Sequence, residues 1–262
     1  MSIALADDGC RLYYEVKSEG EPVVLIPGLG GDGRFWVGVE KALKGFQVIT
    51  VDHRGAGRSD RPNKGYSIDR IARDVLTVLD AEKIDAAHLV GHSTGGTVVQ
   101  TIALDVPARA RSLVISGSWA RPDARFRALF SSRLDLMQKG EVAAYQNLTH
   151  VFGYTPEWIA AHEVELREAV ANAVDYLAPY TVTAQRIAML LDFDRSQELA
   201  AINQPTLLLG ARDDIMIPYH HIEELRRFIV HCGMQEMQGG HFFPRMAPQR
   251  FADVIAIFFK ST

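Results

Sequence analysis

The chain has 262 residues, 47% of them apolar and 23% charged, which suits one large globular domain or one such domain carrying an insertion. Its formal net charge of −4 gives no electrostatic basis for binding nucleic acid or an anionic membrane. No apolar run approaches the roughly 20 residues of a membrane span, and Met1–Asp8 has neither the basic region nor the apolar core of a signal peptide.

The expectation is therefore a soluble, cytoplasmic protein with no nucleic-acid or membrane partner; composition leaves its oligomeric state open. Cys10 and Cys232, the two cysteines, are expected as free thiols beside strands.

Along the chain, Asp8-Gly9 reads as a tight turn between short strands at Ile3–Ala6 and Arg11–Val16. Compact apolar runs at Val23–Ile26, Val48–Val51, Leu89–Val90, Leu113–Ile115 and Thr206–Leu209 read as strands buried on both faces. Helical patterns separate them at Ile68–Leu79, Thr97–Ala103 and His220–Ile229, and a last helix is expected over Pro248–Phe259. Strands alternating with helices imply right-handed crossovers and a mostly parallel sheet, here of eight strands with helices on both faces.

Residues 119–194 break that rhythm. They hold no convincing strand but four helical stretches, Ala124–Lys139, Glu141–Phe152, Pro156–Ala173 and Pro179–Leu191, and are too long for a loop. The sequence thus divides into a core of residues 1–118 and 195–262 and an inserted helical cap of residues 119–194.

Gly91-His92-Ser93-Thr94-Gly95 follows an apolar strand and opens a helix. It matches G-x-S-x-G, a sharp strand-to-helix turn that lifts a serine hydroxyl above the sheet. A serine nucleophile needs a base, and the base needs an orienting acid. His241, in the Gly239-Gly240-His241 loop before the last helix, is the candidate base. The acid is expected just past the Thr206–Leu209 strand, where Asp213 and Asp214 are adjacent; Asp213 is favoured and Asp214 left as a loop-bracing or solvent-facing carboxylate. An acid after the preceding strand is absent from Ser116–Trp119, and Asp123 lies too far into the cap.

The oxyanion of a tetrahedral intermediate needs two backbone donors. Thr94, which follows the serine, is one candidate; Leu29, in Pro27-Gly28-Leu29-Gly30-Gly31, is the other. His92, His53 and the His220-His221 pair make no metal-ligand spacing with an acid or cysteine along the chain, so neither metal nor cofactor is expected.

A competing pattern overlaps the oxyanion loop. Gly28-Leu29-Gly30-Gly31-Asp32-Gly33 fits G-x-G-x-x-G after a strand, and Asp52 stands where a ribose-binding acid would. An NAD(P)-dependent oxidoreductase would use both. It leaves Ser93, Asp213, His241 and the turn-rich Asp52–Ser59 loop without a role, as does a non-catalytic binding protein.

Taken together, Pro27–Gly31, Asp52–Ser59, Gly91–Gly96, Gly210–Pro218 and Gly240-His241 resemble the α/β-hydrolase superfamily with a helical cap, over nearly the whole chain. Within it, the Gly-Leu-Gly-Gly loop, Ser118-Trp119 and Asp213-Asp214 ahead of Pro218 resemble aminoacrylate hydrolases of pyrimidine breakdown, and enol-lactone hydrolases look similar. The first loop departs from the commoner His-Gly by beginning Pro-Gly. The resemblance implies cofactor-free cleavage of a small ester, lactone, thioester or amide-type molecule through an acyl-enzyme. The superfamily also holds cofactor-free haloperoxidases and C–C bond hydrolases, and fold alone does not choose among them. For the substrate, Gly28, Trp119, Arg121 and Arg125 are the candidate contacts, with one arginine placed to hold a carboxylate.

Overall fold

The computed structural model describes residues 2–177 and 179–262. Its strands are β1 (Ser2–Leu5), β2 (Arg11–Lys17), β3 (Glu21–Ile26), β4 (Phe46–Val51), β5 (Ala87–His92), β6 (Ala110–Ser116), β7 (Thr206–Ala211) and β8 (Cys232–Met237). They form one eight-stranded sheet in the order β1-β2-β4-β3-β5-β6-β7-β8. The β1–β2 and β2–β4 pairs are antiparallel, and the other five are parallel. The carboxyl ends of β3, β5, β7 and β8 consequently open on the same edge of the sheet, where ligand sites of such folds form.

The helices are α1 (Val37–Ala42), α2 (Ile68–Ala81), α3 (Thr94–Asp105), α4 (Ala124–Gln138), α5 (Val142–Gly153), α6 (Pro156–Ala161), α7 (Glu163–Ala171), α8 (Ala173–Leu177), α9 (Tyr180–Asp192), α10 (His220–Phe228), α11 (Phe243–Met246) and α12 (Pro248–Phe259). Local signals set several starts. Ser67 accepts from Arg70 N at the head of α2, Asp123 from Phe126 N at α4, and Thr155 from Trp158 N ahead of Pro156 at α6.

Alternation along the strands divides the interior into two layers. Val23, Leu25, Val48 and Val90 pack with Trp36, Val39, Phe251 and Ile255 on the face covered by α1 and α12. Val24, Ile26, Ile49 and Leu89 point the other way, toward Ile71, Val75, Val98 and Ile102 of α2 and α3. The helices inserted between β6 and β7 join this second layer through Trp119, Phe126, Phe130 and Ile187, so one apolar cluster runs from the sheet into the insertion. The insertion's two ends meet the sheet on neighbouring strands, and Gly117 N donates to Leu209 O at 2.8 Å.

The insertion departs from its sequence reading in one place. The helix expected over Pro156–Ala173 is three, α6, α7 and the start of α8. It breaks at His162, which leaves helical geometry (φ −122°, ψ 25°) and stacks its ring on Trp158 at 3.7 Å while Nδ1 bonds Trp158 O. α1 and α11, too short to show a period, were not expected from the sequence. Cys10 is buried and Cys232 half-buried, both as free thiols. Among the described residues no helix is long and apolar enough to cross a membrane.

The loop after β4 is held by an internal ion network. Arg54 is fully buried; its Nε lies 2.5 Å from Asp74 Oδ2 on α2, and its Nη1 lies 2.8 Å from Asp8 Oδ2 in the first hairpin turn. The hydrogen bond from Arg54 holds the Asp8 carboxyl well below the usual carboxylate range. That contribution is complete above the unfolded-state pKa of about 4 and is lost as pH falls through the lower folded value. Removing Asp74 leaves the buried guanidinium with Asp8, a half-exposed carboxylate, as its remaining partner. Asp74→Ala is therefore expected to lower unfolding stability by about 3–5 kcal/mol in urea titrations, and Asp8→Asn to flatten the acid limb of the wild-type stability profile. A cost for Asp74→Ala under about 1 kcal/mol would mean that the network relaxes into water.

Candidate active site

Ser93 lies between β5 and α3 with φ 55° and ψ −119°, a left-handed conformation that costs a non-glycine residue about 1–3 kcal/mol and survives only where the surroundings enforce it. Here backbone packing enforces it. A Cβ on Gly91 would overlap the Gly95 carbonyl, and one on Gly95 would overlap the Ile26 carbonyl, so only glycine permits the turn at both places. Ser93 N donates to Ser116 O at 2.8 Å. Across the turn Gly28 presents its bare Cα, and a Cβ there would stand 3.1 Å from Ser93 Cβ.

His241 arrives on the loop after β8, and its Nδ1 lies 2.7 Å from Asp214 Oδ2. Both side chains are buried, each about 1% exposed. The other oxygen of Asp214 accepts from Met216 N at 2.9 Å and Ile217 N at 2.8 Å, so the carboxylate is held from two sides.

This corrects the expectation for the acid: Asp213, one residue earlier, does not face the imidazole. It is exposed and accepts from Gly239 N at 3.2 Å and Gly240 N at 3.0 Å. The turn closed by Asp214 N on Ala211 O aims Asp213 outward at the histidine loop and Asp214 inward at the histidine. Asp213 is the loop brace, the part the sequence reading had left to its neighbour.

Beneath the site lies His92, buried, its Nδ1 3.0 Å from Ser116 Oγ and its ring 4.8 Å from that of His241. Burial, and then the neighbouring His241, hold His92 well below the usual histidine range, so it stays neutral at physiological pH. Thr94 opens α3, where helix geometry leaves its N–H without an intrahelical acceptor. Leu29 is half-buried on the Gly28–Gly31 turn, which Gly31 N closes on Gly28 O at 2.8 Å.

The loop after β4 pins that turn. His53 N donates to Gly31 O at 2.7 Å, and Asp52 Oδ1 accepts from Gly33 N at 2.7 Å. The second oxygen of Asp52 takes Arg58 N and Nε. Asp52 is thus engaged within the protein rather than presented to a ribose, and the glycine-rich loop opens a short 3-10 helix at Gly33–Trp36 instead of a phosphate-binding helix.

Ser93, His241, Gly28 and Leu29 line one cavity of about 490 Å³ under the inserted helices. Three expected substrate contacts do not reach it. Trp119 is fully buried and packs on Phe126 at 4.6 Å. Arg121 pairs with Glu224 at the surface, and Arg125 donates to the carbonyls of Ile215 and Met216.

Arg133 reaches the cavity and was missed. Its signal was present: Phe126, Phe130, Arg133 and Met137 form the buried stripe of α4, and a guanidinium on an apolar stripe is out of place. Arg186 of α9 was missed too. It is buried against Gly31 and Gly55, behind the Gly28–Gly31 turn, and burial pushes its guanidinium down to about 10. The linear spacing argument about histidines also fails in space, because Asp123 Oδ2 comes within 2.8 Å of His220 Nε2 and 3.5 Å of His221 Nε2.

Comparison with known proteins shows what the chain as a whole is similar to. The family described as alpha/beta hydrolase fold matches residues 21–244. A protein of Azorhizobium caulinodans named for carbamate hydrolysis, RutD, is 37% identical over 246 residues, 93% of each chain. A RutD of Caulobacter segnis bearing the same name is 34% identical over 99% of each. Among solved structures, an enol-lactonase from Burkholderia xenovorans superposes with a TM-score of 0.90 at 22% identity, covering 99% of this chain and 100% of that one. Est816, an N-acyl homoserine lactone degrading enzyme, gives 0.85 at 25% identity, covering 97% and 99%.

The pairing of His241 can be read directly in solution. A proton between imidazole Nδ1 and a buried carboxylate resonates far downfield in the ¹H spectrum. Asp213→Asn is expected to keep that resonance and Asp214→Asn to remove it; the opposite pattern would reassign the partner.

Proposed function

Because the chain belongs to the α/β-hydrolase fold family, we propose that it is a serine hydrolase acting through an acyl-enzyme, with Ser93 as nucleophile, His241 as base and Asp214 as orienting acid. The observation that carries this reading is the buried 2.7 Å contact of Asp214 with His241 Nδ1, in the cavity that Ser93 lines from a strained turn. With Nδ1 committed to Asp214, Nε2 is the nitrogen left to take the serine proton.

The steps follow from these positions. His241 Nε2 accepts the proton as Ser93 Oγ attacks the substrate carbonyl. Leu29 and Thr94 N–H groups hold the oxyanion, and Asp214 stabilises the imidazolium that forms. His241 then protonates the leaving oxygen, nitrogen or sulfur, leaving an ester on Ser93. Water, activated by the same imidazole, releases the acid. Neutral His92 adds no second positive charge beneath the imidazolium. Substrates of this chemistry are small esters, lactones, thioesters and amide- or carbamate-type compounds; the names of the relatives support the carbon–nitrogen and lactone members of that set.

Ser93→Ala is expected to remove nearly all turnover while leaving thermal unfolding unchanged, and a fluorophosphonate should label wild type once, on the peptide containing Ser93. Asp214→Asn is expected to lower kcat by about 10³–10⁴-fold with little change in KM, and Asp213→Asn by less than about tenfold, both measured near pH 8. Equal labelling of the alanine variant would overturn the nucleophile, and an unaffected Asp214→Asn the triad.

A further inference from the structure

Arg133 is a buried cation with no counter-charge. Its residue is 2% exposed, and among the described residues no carboxylate pairs with it. Nη2 donates to Thr149 Oγ1 at 2.9 Å, Nη1 faces only the Met216 sulfur at 3.7 Å, and Nε has no partner. The guanidinium lies 4.5 Å over the Tyr145 ring. Every other buried arginine described above is either paired, as Arg54 is, or set behind a loop, as Arg186 is. Arg133 instead lines the cavity that holds Ser93 and His241.

An unpaired buried guanidinium is unfavourable, and an anionic ligand relieves it. The cavity is charged to admit one. Arg34, Arg61 and Arg245 also line it with Asp32 and Glu165; Arg34 pairs with Asp32 and Arg245 lies 4.0 Å from Glu165, so Arg61 and Arg133 leave the lining net positive although the whole chain is net negative. Its remaining wall is largely apolar, with Phe130, Leu166, Leu177 and Phe242, and its volume of about 490 Å³ is that of a site for a drug-sized ligand.

We infer that Arg133 is the anion subsite of the substrate cavity, and that the substrate is a carboxylate-bearing ester, lactone or amide with an apolar body, larger than the carbamate of the relatives' names. This rests on the hydrolase reading for the reacting group. The carboxylate pairs with the Arg133 guanidinium from the cavity side, the apolar body lies on the cap helices, and the scissile carbonyl faces Ser93.

The test uses a matched pair, mono-4-nitrophenyl adipate and its methyl ester, with nitrophenol release as readout. Wild type is expected to favour the anion in kcat/KM by at least about tenfold. Arg133→Gln should lose about 10- to 100-fold on the anion and change less than about twofold on the methyl ester, with phosphonate labelling of Ser93 retained. Arg133→Lys, which keeps charge but not the fork, should fall between them. Arg133→Met should melt no lower than wild type, since it removes an unpaired buried charge, whereas an arginine needed for packing would melt lower.

A binding arm stands apart from catalysis. By calorimetry 4-phenylbutyrate should bind wild type and not Arg133→Gln, and 4-phenylbutanol should bind both alike. Equal losses on both esters, or butyrate binding unchanged by the substitution, would overturn the anion subsite while leaving the hydrolase intact. No cleavage of either ester together with no labelling of Ser93 would instead sink the hydrolase reading, and the binding arm would still decide Arg133.

Discussion

Backbone contact between the first turn of α3 and the ends of β3 and β5 is the constraint on which the site depends. Gly95 sits against the carbonyls of Ile26 and Pro27, and Gly91 against that of Gly95. No side chain separates these segments, so the approach of helix to sheet is set by main-chain atoms. That approach forces Ser93 into its positive φ, and it also brings the end of β3 beside the serine, where Gly28 leaves the space that a reacting carbonyl would occupy. The cost of the strained residue, about 1–3 kcal/mol, is small against the continuous apolar cluster that clamps both sides of the turn. Rigidity at the nucleophile is thus a property of the sheet's second layer rather than of the loop itself.

The surrounding loops are fixed by charge where the elbow is fixed by sterics. Asp52 gathers Gly33 N, Arg58 N and Arg58 Nε, Asp213 gathers the two glycine N–H groups ahead of His241, and Asp214 gathers Met216 N and Ile217 N. In each case a carboxylate satisfies backbone donors that a short turn leaves without partners. Two arginines from the insertion complete the surroundings in different ways: Arg186 braces the glycine turn from behind, and Arg133 enters the cavity.

How much of this the sequence disclosed follows from how far each feature depends on distant residues. Ser93 and His241 were legible because the elbow and the strand-end loops are local patterns with a fixed order along the chain. The eight-stranded sheet was legible because its central strands are buried on both faces and stand out as apolar runs; β8, an edge strand largely exposed along its length, was the faintest. Asp213 was favoured over Asp214 and the structure reverses the two, since adjacent side chains diverge and only the turn on Ala211 O decides which one points inward. Arg121 and Arg125 looked right by position at the cap entrance, yet Glu224 and the carbonyls of Ile215 and Met216, about 90 to 100 residues away in sequence, draw them off. Arg133 was visible in principle as a charge on a buried stripe.

The adjacency of the two aspartates has a further consequence. From Ala211, paired with Met237 at the end of the sheet, to Asp214 the chain has no slack, and the two carboxylates do unlike jobs one residue apart. The segment therefore acts as a ruler: besides its two carboxylates, what it must keep is a count. Arg212, exposed, paired with Glu236 and lying over the Tyr219 ring, and Ile215, also exposed, are free to vary in kind. Shortening the turn by one residue would slide its carboxylates one place along the frame, so that the inward position no longer holds Asp214. Lengthening it would bring Asp213 to the inward position and leave the histidine loop without its brace. The site is tolerant of substitution at Arg212 and Ile215 and intolerant of any change in the length of the stretch that carries them.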